Sequence, residues 1–291
     1  MRSWLFVEGN NANKLAKAPM VGADALVVDI SMIPTGENSA EIMQTIAEWL
    51  KTYSDPLIAN KAFARWLRIK PLDAPMWRED LVIAMLGAPD GVILPKTTGP
   101  EQIRMLASEL YEIEQKLGLK HNSTKIIPQI GETPRSALTM GDLTRDPQPR
   151  LTGFAWNADN VMRSLGASRC RDAEGKWTDS MRHVRASTLF LAKAMGVMAI
   201  ETPTADPRNV EIGLVEARAA KQDGFTGVAA VHPRQISLIN QAYSLTASER
   251  AEADAIIGLF ASNPQAKTVE RDGESLDFTD LEQARKLRAL G

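Results

Sequence analysis

Polar side chains recur where short apolar runs end. Asp29 stands near the end of Ala25–Ile30, Arg68 and Lys70 close the run from Trp66, and Lys96 follows Leu94-Pro95. Gln129 and Glu132 follow Ile126-Ile127-Pro128; Asn157, Asp159 and Asn160 follow Phe154-Ala155-Trp156; Glu201 and His232 close two later runs. These residue types suit carboxylate chemistry. A guanidinium such as Arg68 can clamp a substrate carboxylate through two parallel hydrogen bonds, or it can pair with Asp29 or Glu132. Two carboxylates are the usual protein share of a Mg²⁺ site, with water and substrate oxygens completing the octahedron. Glu132 and Asp159 are the candidates, although Asp159 also reads as a surface acid or helix N-cap. His232 precedes Pro233, which suits a turn anchor better than an acid or base. Lys14 and Lys17 follow the first apolar run, where they suit a phosphate or simply a solvated helix face. Cys170 lies between Arg169 and Arg171, which should lower its pKa, but it lacks a paired histidine and is not expected to be catalytic.

Something must bring these run ends together. The runs Trp4–Val7, Ala25–Ile30, Trp66–Ile69, Gly91–Pro95, Lys125–Ile130, Thr152–Trp156, Val197–Ile200 and Gly227–Val231 are mostly continuous in apolar character. That is the pattern of parallel strands buried on both faces. Between them lie amphipathic stretches of helical length, Ala40–Leu50, Pro100–Leu117, Val184–Met195 and Val210–Gln222. Pro100 suits a first helical turn and Gly118 a helix stop. About eight β-α units in fewer than about 250 residues predict an α/β fold, a (β/α)₈ TIM barrel, with its chemistry at the carboxyl ends of the strands. A doubly wound sheet with a dinucleotide turn is disfavoured, because Glu8-Gly9-Asn10-Asn11-Ala12 carries a single glycine. The barrel is expected over residues 1–245. Residues 246–291 then form a short helical and hairpin extension packed on the barrel or on a neighbouring subunit. Its parts are a helix at Ala247–Phe260, a hairpin at Val269–Leu276 around Asp272-Gly273, and a helix at Leu281–Leu290.

Composition sets the outer bounds. The 291 residues are 44% hydrophobic and 24% charged, with a formal net charge of −2. This balance offers no electrostatic footprint for nucleic acid. One cysteine excludes an internal disulfide and a cysteine-based zinc site. No apolar run reaches the roughly 18 residues that a membrane helix needs, and Glu8 and Asn10 interrupt the N-terminal run before a signal-peptide core forms. A soluble cytoplasmic protein is expected.

In order along the chain, the motifs resemble those of the citrate lyase β-subunit-like proteins of the HpcH/HpaI aldolase/citrate lyase family. That family includes malyl-CoA and citramalyl-CoA lyases. The resemblance runs from Arg2 to the C-terminal helix. It is carried by Arg2–Gly9 with Lys14-Leu15, Gly22–Ala25 leading to Asp29, Leu94-Pro95-Lys96, Gly153–Trp156, Ala199–Pro203 and Val231–Ile236. It implies a barrel of the phosphoenolpyruvate/pyruvate type and a Mg²⁺-dependent carbon–carbon lyase acting on a 3-hydroxyacyl-CoA such as citramalyl-CoA, malyl-CoA or citryl-CoA. It further implies Arg68 as carboxylate clamp, Glu132 as metal ligand, Lys14 near the CoA phosphates, and a trimeric or hexameric homo-oligomer. A CoA-independent 2-keto acid aldolase and a catalytically weakened binding paralogue are the alternatives.

The chain also departs from the family pattern. Asp29-Ile30-Ser31-Met32-Ile33 lacks two acids, Arg68-Ile69-Lys70 adds a cation, and Asn160 stands at the position of the second metal-binding aspartate. Two compensations are expected: Lys70 partly replaces the metal as the electrophile beside Arg68 and Asp29, or Asp159 supplies the missing ligand.

Overall fold

A computed structural model describes residues 1–291 except 37, 55–62, 205, 207, 208, 290 and 291. Each of the eight apolar runs forms a strand: β1 (Ser3–Glu8), β2 (Ala25–Asp29), β3 (Ala64–Arg68), β4 (Gly91–Leu94), β5 (Lys125–Pro128), β6 (Gly153–Ala155), β7 (Met198–Glu201) and β8 (Gly227–Ala230). They lie in one sheet in the order β5-β4-β3-β2-β1-β8-β7-β6, and each pair in the order is parallel. The two ends of the order meet. Ile126 N donates to Arg150 O and Ile130 N to Ala155 O, which closes the ring between β5 and β6. The fold is a (β/α)₈ TIM barrel, as the alternation of runs and amphipathic stretches predicts.

Helices fill the connections: α1 (Ala12–Lys17), α2 (Ser39–Thr52), α3 (Trp77–Ala84), α4 (Pro100–Leu117), α5 (Pro134–Leu138), α6 (Ala158–Ser164), α7 (Asp179–Ala194), α8 (Val210–Asp223) and α9 (Arg234–Tyr243). Helix α4 has the bounds that Pro100 and Gly118 dictate; Gly118 takes φ 66° and its N–H caps Gln115 O. Helix α7 starts five residues before Val184, after an extended Thr178. Its first turn is mostly polar and leaves little apolar period to read.

Pleat sorts each strand residue inward or outward. Trp4, Ala25, Val27, Trp66, Ile93, Ile127, Ala155, Ile200 and Ala229 form one buried cluster inside the barrel. The Trp4 and Trp66 rings meet edge to face at 5.2 Å. A Cβ on Gly91 would lie 2.3 Å from the Trp66 ring, so only glycine leaves the indole its place. Further along the same inward face, two residues past Val27 and Trp66 and four past Trp4, come Asp29, Arg68 and Glu8, registered side by side. Thus the pleat that fills the core also aims these three charged groups at the barrel mouth.

Outside the strands, Arg150 grips Glu114 of α4 through two hydrogen bonds of 2.7 Å. Burial alone would push this carboxyl up. The Arg150 fork and the N–H groups of Thr124 and Asn122 overcome that and bring it down to about 2.

The chain divides into two compact units, Met1–Ala242 and Tyr243–Gly291. In the second, α10 (Ala247–Ser262) begins with a capping box of Thr246 and Glu249. A hairpin follows, β9 (Val269–Arg271) and β10 (Glu274–Leu276), then α11 (Phe278–Ala289). Asp272 and Gly273 take φ of 52° and 86° in the turn, the left-handed pair that a two-residue hairpin needs. Phe260, Val269 and Leu281 form this unit's core. Leu281 and Ala284 are buried, and Leu290 lies outside the described residues. Among the described residues no helix is long and apolar enough to cross a membrane.

Candidate active site

Arg68 ends β3 on the inner face with its side chain 12% exposed. Its Nε donates to Gln129 Oε1 at 2.6 Å; its Nη1 donates to Ser31 Oγ at 2.6 Å and to Asp29 Oδ2 at 3.1 Å. Asp29 is itself held, because Oδ1 accepts the Ser31 N–H at 2.9 Å. Nε and Nη1 are thereby anchored, while Nη2 makes no hydrogen bond among the described residues. The ion pair with Asp29 and a free Nη2 coexist, so the anchoring and clamping readings of Arg68 are compatible. Ser31 was not visible as a site residue in the sequence: a serine two places past a strand end carries no signal of its own.

Asp29 borders a cavity of about 410 Å³ that runs between the mouth and α1, lined also by Phe6, Glu8, Lys14, Lys17 and His232. Lys14 Nζ pairs with Glu8 Oε2 at 2.9 Å, both largely exposed. Asn11 caps α1 by accepting the Lys14 N–H. His232 Nδ1 accepts the Arg234 N–H at 3.2 Å, the turn-anchoring role.

Lys70 sits differently from the expectation of a free cation. Its ammonium lies 2.6 Å from Asp80 Oδ2 of α3, with the two side chains 5% and 3% exposed, and it reaches Thr35 Oγ1 at 3.4 Å. Asp80 already balances its charge. Asp80 lies in a helix whose polarity looks like a surface face in the sequence, so nothing there marks it as buried.

Glu132 follows Gly131, whose φ of 70° admits little but glycine, and a Cβ there would lie 2.5 Å from Val184 Cγ1. The Glu132 side chain is buried, and both oxygens are engaged: Lys96 N donates to Oε2 and Asn160 Nδ2 to Oε1, each at 2.6 Å. Lys96 adopts φ 52°, a left-handed conformation that a non-glycine residue takes up at a cost. Lys96 therefore serves Glu132 through its backbone, a role that side-chain chemistry could not suggest. Asn157 caps α6 by accepting the Asn160 N–H, which fixes the helix carrying the amide. Asp159, one residue earlier, is exposed and meets Cys170 Sγ at 3.9 Å, not Glu132. The Cys170 thiol is pushed up, by burial first and then by Asp159, against the smaller pull of Arg171. The lowering expected from flanking arginines is outweighed.

Glu201 does not join the mouth. It faces outward from β7, where Oε1 accepts the Trp156 indole N–H at 2.6 Å and Oε2 meets Arg185 of α7. Burial pushes its carboxyl up against the opposing Arg185 charge.

A Mg²⁺ ion wants converging anionic oxygens at near-octahedral positions. Among the described residues no three His, Cys, Asp or Glu side chains gather to hold one. Both Glu132 oxygens already accept N–H groups, and Asp159, the second candidate ligand, meets Cys170 instead, so the residues present do not fit the ion.

The chain is similar to the citrate lyase subunit beta of Haemophilus influenzae, 28% identical over 286 residues, 98% of this chain and 94% of that protein. It is 26% identical over 301 residues to the mitochondrial citramalyl-CoA lyase of Mus musculus, covering 99% of this chain and 85% of that protein. A solved structure of the citrate lyase beta subunit of M. tuberculosis, complexed with oxaloacetate and magnesium, superposes with a TM-score of 0.66 at 26% identity, covering 84% of this chain and 96% of that one. The family model for HpcH/HpaI aldolase/citrate lyase matches residues 2–233, and the chain belongs to that family of lyases.

Proposed function

We propose that this lyase cleaves a carbon–carbon bond in a 3-hydroxyacyl-CoA bearing a carboxylate, of the citramalyl-, malyl- or citryl-CoA type. The observation that carries the reading is Arg68: a guanidinium fixed at Nε by Gln129 and at Nη1 by Asp29 and Ser31, with Nη2 left among the described residues for a ligand at the mouth of the barrel. A guanidinium held in this way loses little conformational freedom when a carboxylate docks.

In the reaction, Asp29 accepts the proton of the 3-hydroxyl group. The carbonyl of the keto acid forms as the carbon–carbon bond breaks, and the bonding electrons pass into the thioester enolate, which takes a proton from water to give acetyl-CoA while Asp29 returns its proton to solvent. Arg68 holds the carboxylate of the keto-acid half throughout. Lys14 and Lys17, on the cavity wall, supply positive charge for the phosphates of the CoA. The mouse relative, a citramalyl-CoA lyase by name, supports a thioester over a free keto acid.

We further propose assembly as a homo-oligomer, a trimer or hexamer. Phe190 on α7 is 73% exposed and Val215 on α8 is 65% exposed, apolar side chains that a neighbouring subunit would cover. Light scattering on the purified chain tests this.

The activity is tested by incubating the protein with each of the three thioesters and following release of pyruvate, glyoxylate or oxaloacetate together with acetyl-CoA. Turnover that falls in Arg68→Gln and Asp29→Asn supports the assignment. Release of keto acid from a CoA-free substrate alone favours the free 2-keto acid aldolase. No turnover, with acetyl-CoA still raising the melting temperature, favours a binding role.

A further inference from the structure

Glu132 and Asn160 form a part-buried contact in which both carboxylate oxygens are already engaged by N–H groups. Asn160 Nδ2 and Lys96 N each lie 2.6 Å from a different oxygen of the carboxylate. An approaching cation therefore meets N–H hydrogens, which carry partial positive charge. Turning the Asn160 amide over offers only a neutral carbonyl oxygen in place of the anionic ligand that Mg²⁺ prefers, and gives up the hydrogen bond to Glu132. The remaining acid of this segment cannot help. Asp159 precedes Asn160 by one residue, about 100° around the helix, and meets Cys170. Lys70 is no substitute cation either, because Asp80 holds it.

We infer that Asn160 takes the place of a divalent cation on Glu132: its amide, with the strained Lys96 backbone, fixes the carboxylate in a metal-free rim, and Mg²⁺ uptake is restored by a carboxylate at position 160. The strain at Lys96, φ 52°, is maintained by a hydrogen bond to the carboxylate itself, so the loop after β4 and the segment after β5 are locked together without an ion. This goes beyond the proposed reaction and is independent of it, since it concerns the substrate-free protein. It also separates this chain from the M. tuberculosis β subunit solved with oxaloacetate and magnesium.

The test is calorimetric titration of Mg²⁺ into the full-length chain freed of metal, paired with melting in Mg²⁺ and in EDTA. The wild-type protein and Asn160→Ala give no saturable heat into the millimolar range, and their melting temperatures are the same with and without Mg²⁺. Asn160→Asp gains affinity of about 10- to 100-fold, the range by which single changes around a metal site alter its affinity. Its melting temperature then rises with Mg²⁺, and adding Glu132→Gln removes both effects. An Asn160→Asp chain that folds only with Mg²⁺ present supports the inference equally. Saturable binding by the wild type that Glu132→Gln abolishes overturns it. So does a folded Asn160→Asp that binds Mg²⁺ no more tightly than the wild type.

Discussion

Lys70→Met separates a structural cation from a catalytic one. The Lys70 ammonium and the Asp80 carboxylate are 2.6 Å apart and almost wholly buried. At that distance, with an effective dielectric constant of about 20, Coulomb's law gives roughly 6 kcal/mol of gross attraction. Desolvation of the two ions offsets most of it, so the intact pair contributes little net stability. Removing one partner is another matter. Methionine fills much the same space but strands the Asp80 charge in an apolar setting, at about 3–5 kcal/mol. Lys70→Met is therefore expected to unfold at markedly lower urea concentration, whereas Lys70→Met with Asp80→Leu returns to within about 1–2 kcal/mol of wild type. The assay is paired: urea unfolding for stability, and initial rates of thioester cleavage at a temperature where every variant is folded. The double variant is expected to keep kcat near wild type. A stable Lys70→Met with wild-type unfolding and a collapsed kcat would refute the reasoning and make Lys70 the electrophile.

Arg68→Lys keeps the charge but not the fork, and Arg68→Gln keeps neither; kcat/KM for the thioester should fall about 10- to 100-fold in the glutamine variant, the loss of a charge-assisted hydrogen bond. Glu114 carries the acid limb of stability. Its folded pKa of about 2 lies below the ordinary 4.5, so its contribution of about 3 kcal/mol is complete above the ordinary value and drains away as pH falls toward the folded one. Unfolding free energies of Glu114→Gln should be lower than wild type at neutral pH and flatter through that acid window. Gly131→Ala meets a φ of 70° and a Val184 methyl 2.5 Å from the new Cβ; a loss of about 1–3 kcal/mol on thermal melting is expected. Lys14→Ala should raise KM for the thioester at low salt, and the difference should shrink as ionic strength rises, because Lys14 is more than half exposed.

The barrel was legible because it is written in two periods that differ sharply. Strands buried on both faces read as short apolar runs and the helices as amphipathic stretches, so all eight strands and the bounds of α4 follow from the sequence. The inward row of Asp29 and Arg68 was legible for the same reason, as polar residues closing strands. What could not be read was pairing. Whether Arg68 meets Asp29 or Glu132 depends on register across strands, and Lys70 finding Asp80 depends on how α3 packs. Glu201 looked like its neighbours at strand ends, but a shift of one residue in the pleat turns a side chain from mouth to helix layer. Asp159 and Asn160 differ by one helical position, which decides that the amide and not the acid meets Glu132.

The most direct test follows keto-acid release from citramalyl-CoA, malyl-CoA and citryl-CoA by the wild-type chain and by Arg68→Gln. At least one thioester is expected to turn over, with stoichiometric keto acid and acetyl-CoA, and the variant to lose most of that rate although it remains folded. Equal rates in the two proteins would contradict this, as would a wild-type chain that releases nothing from any of the three.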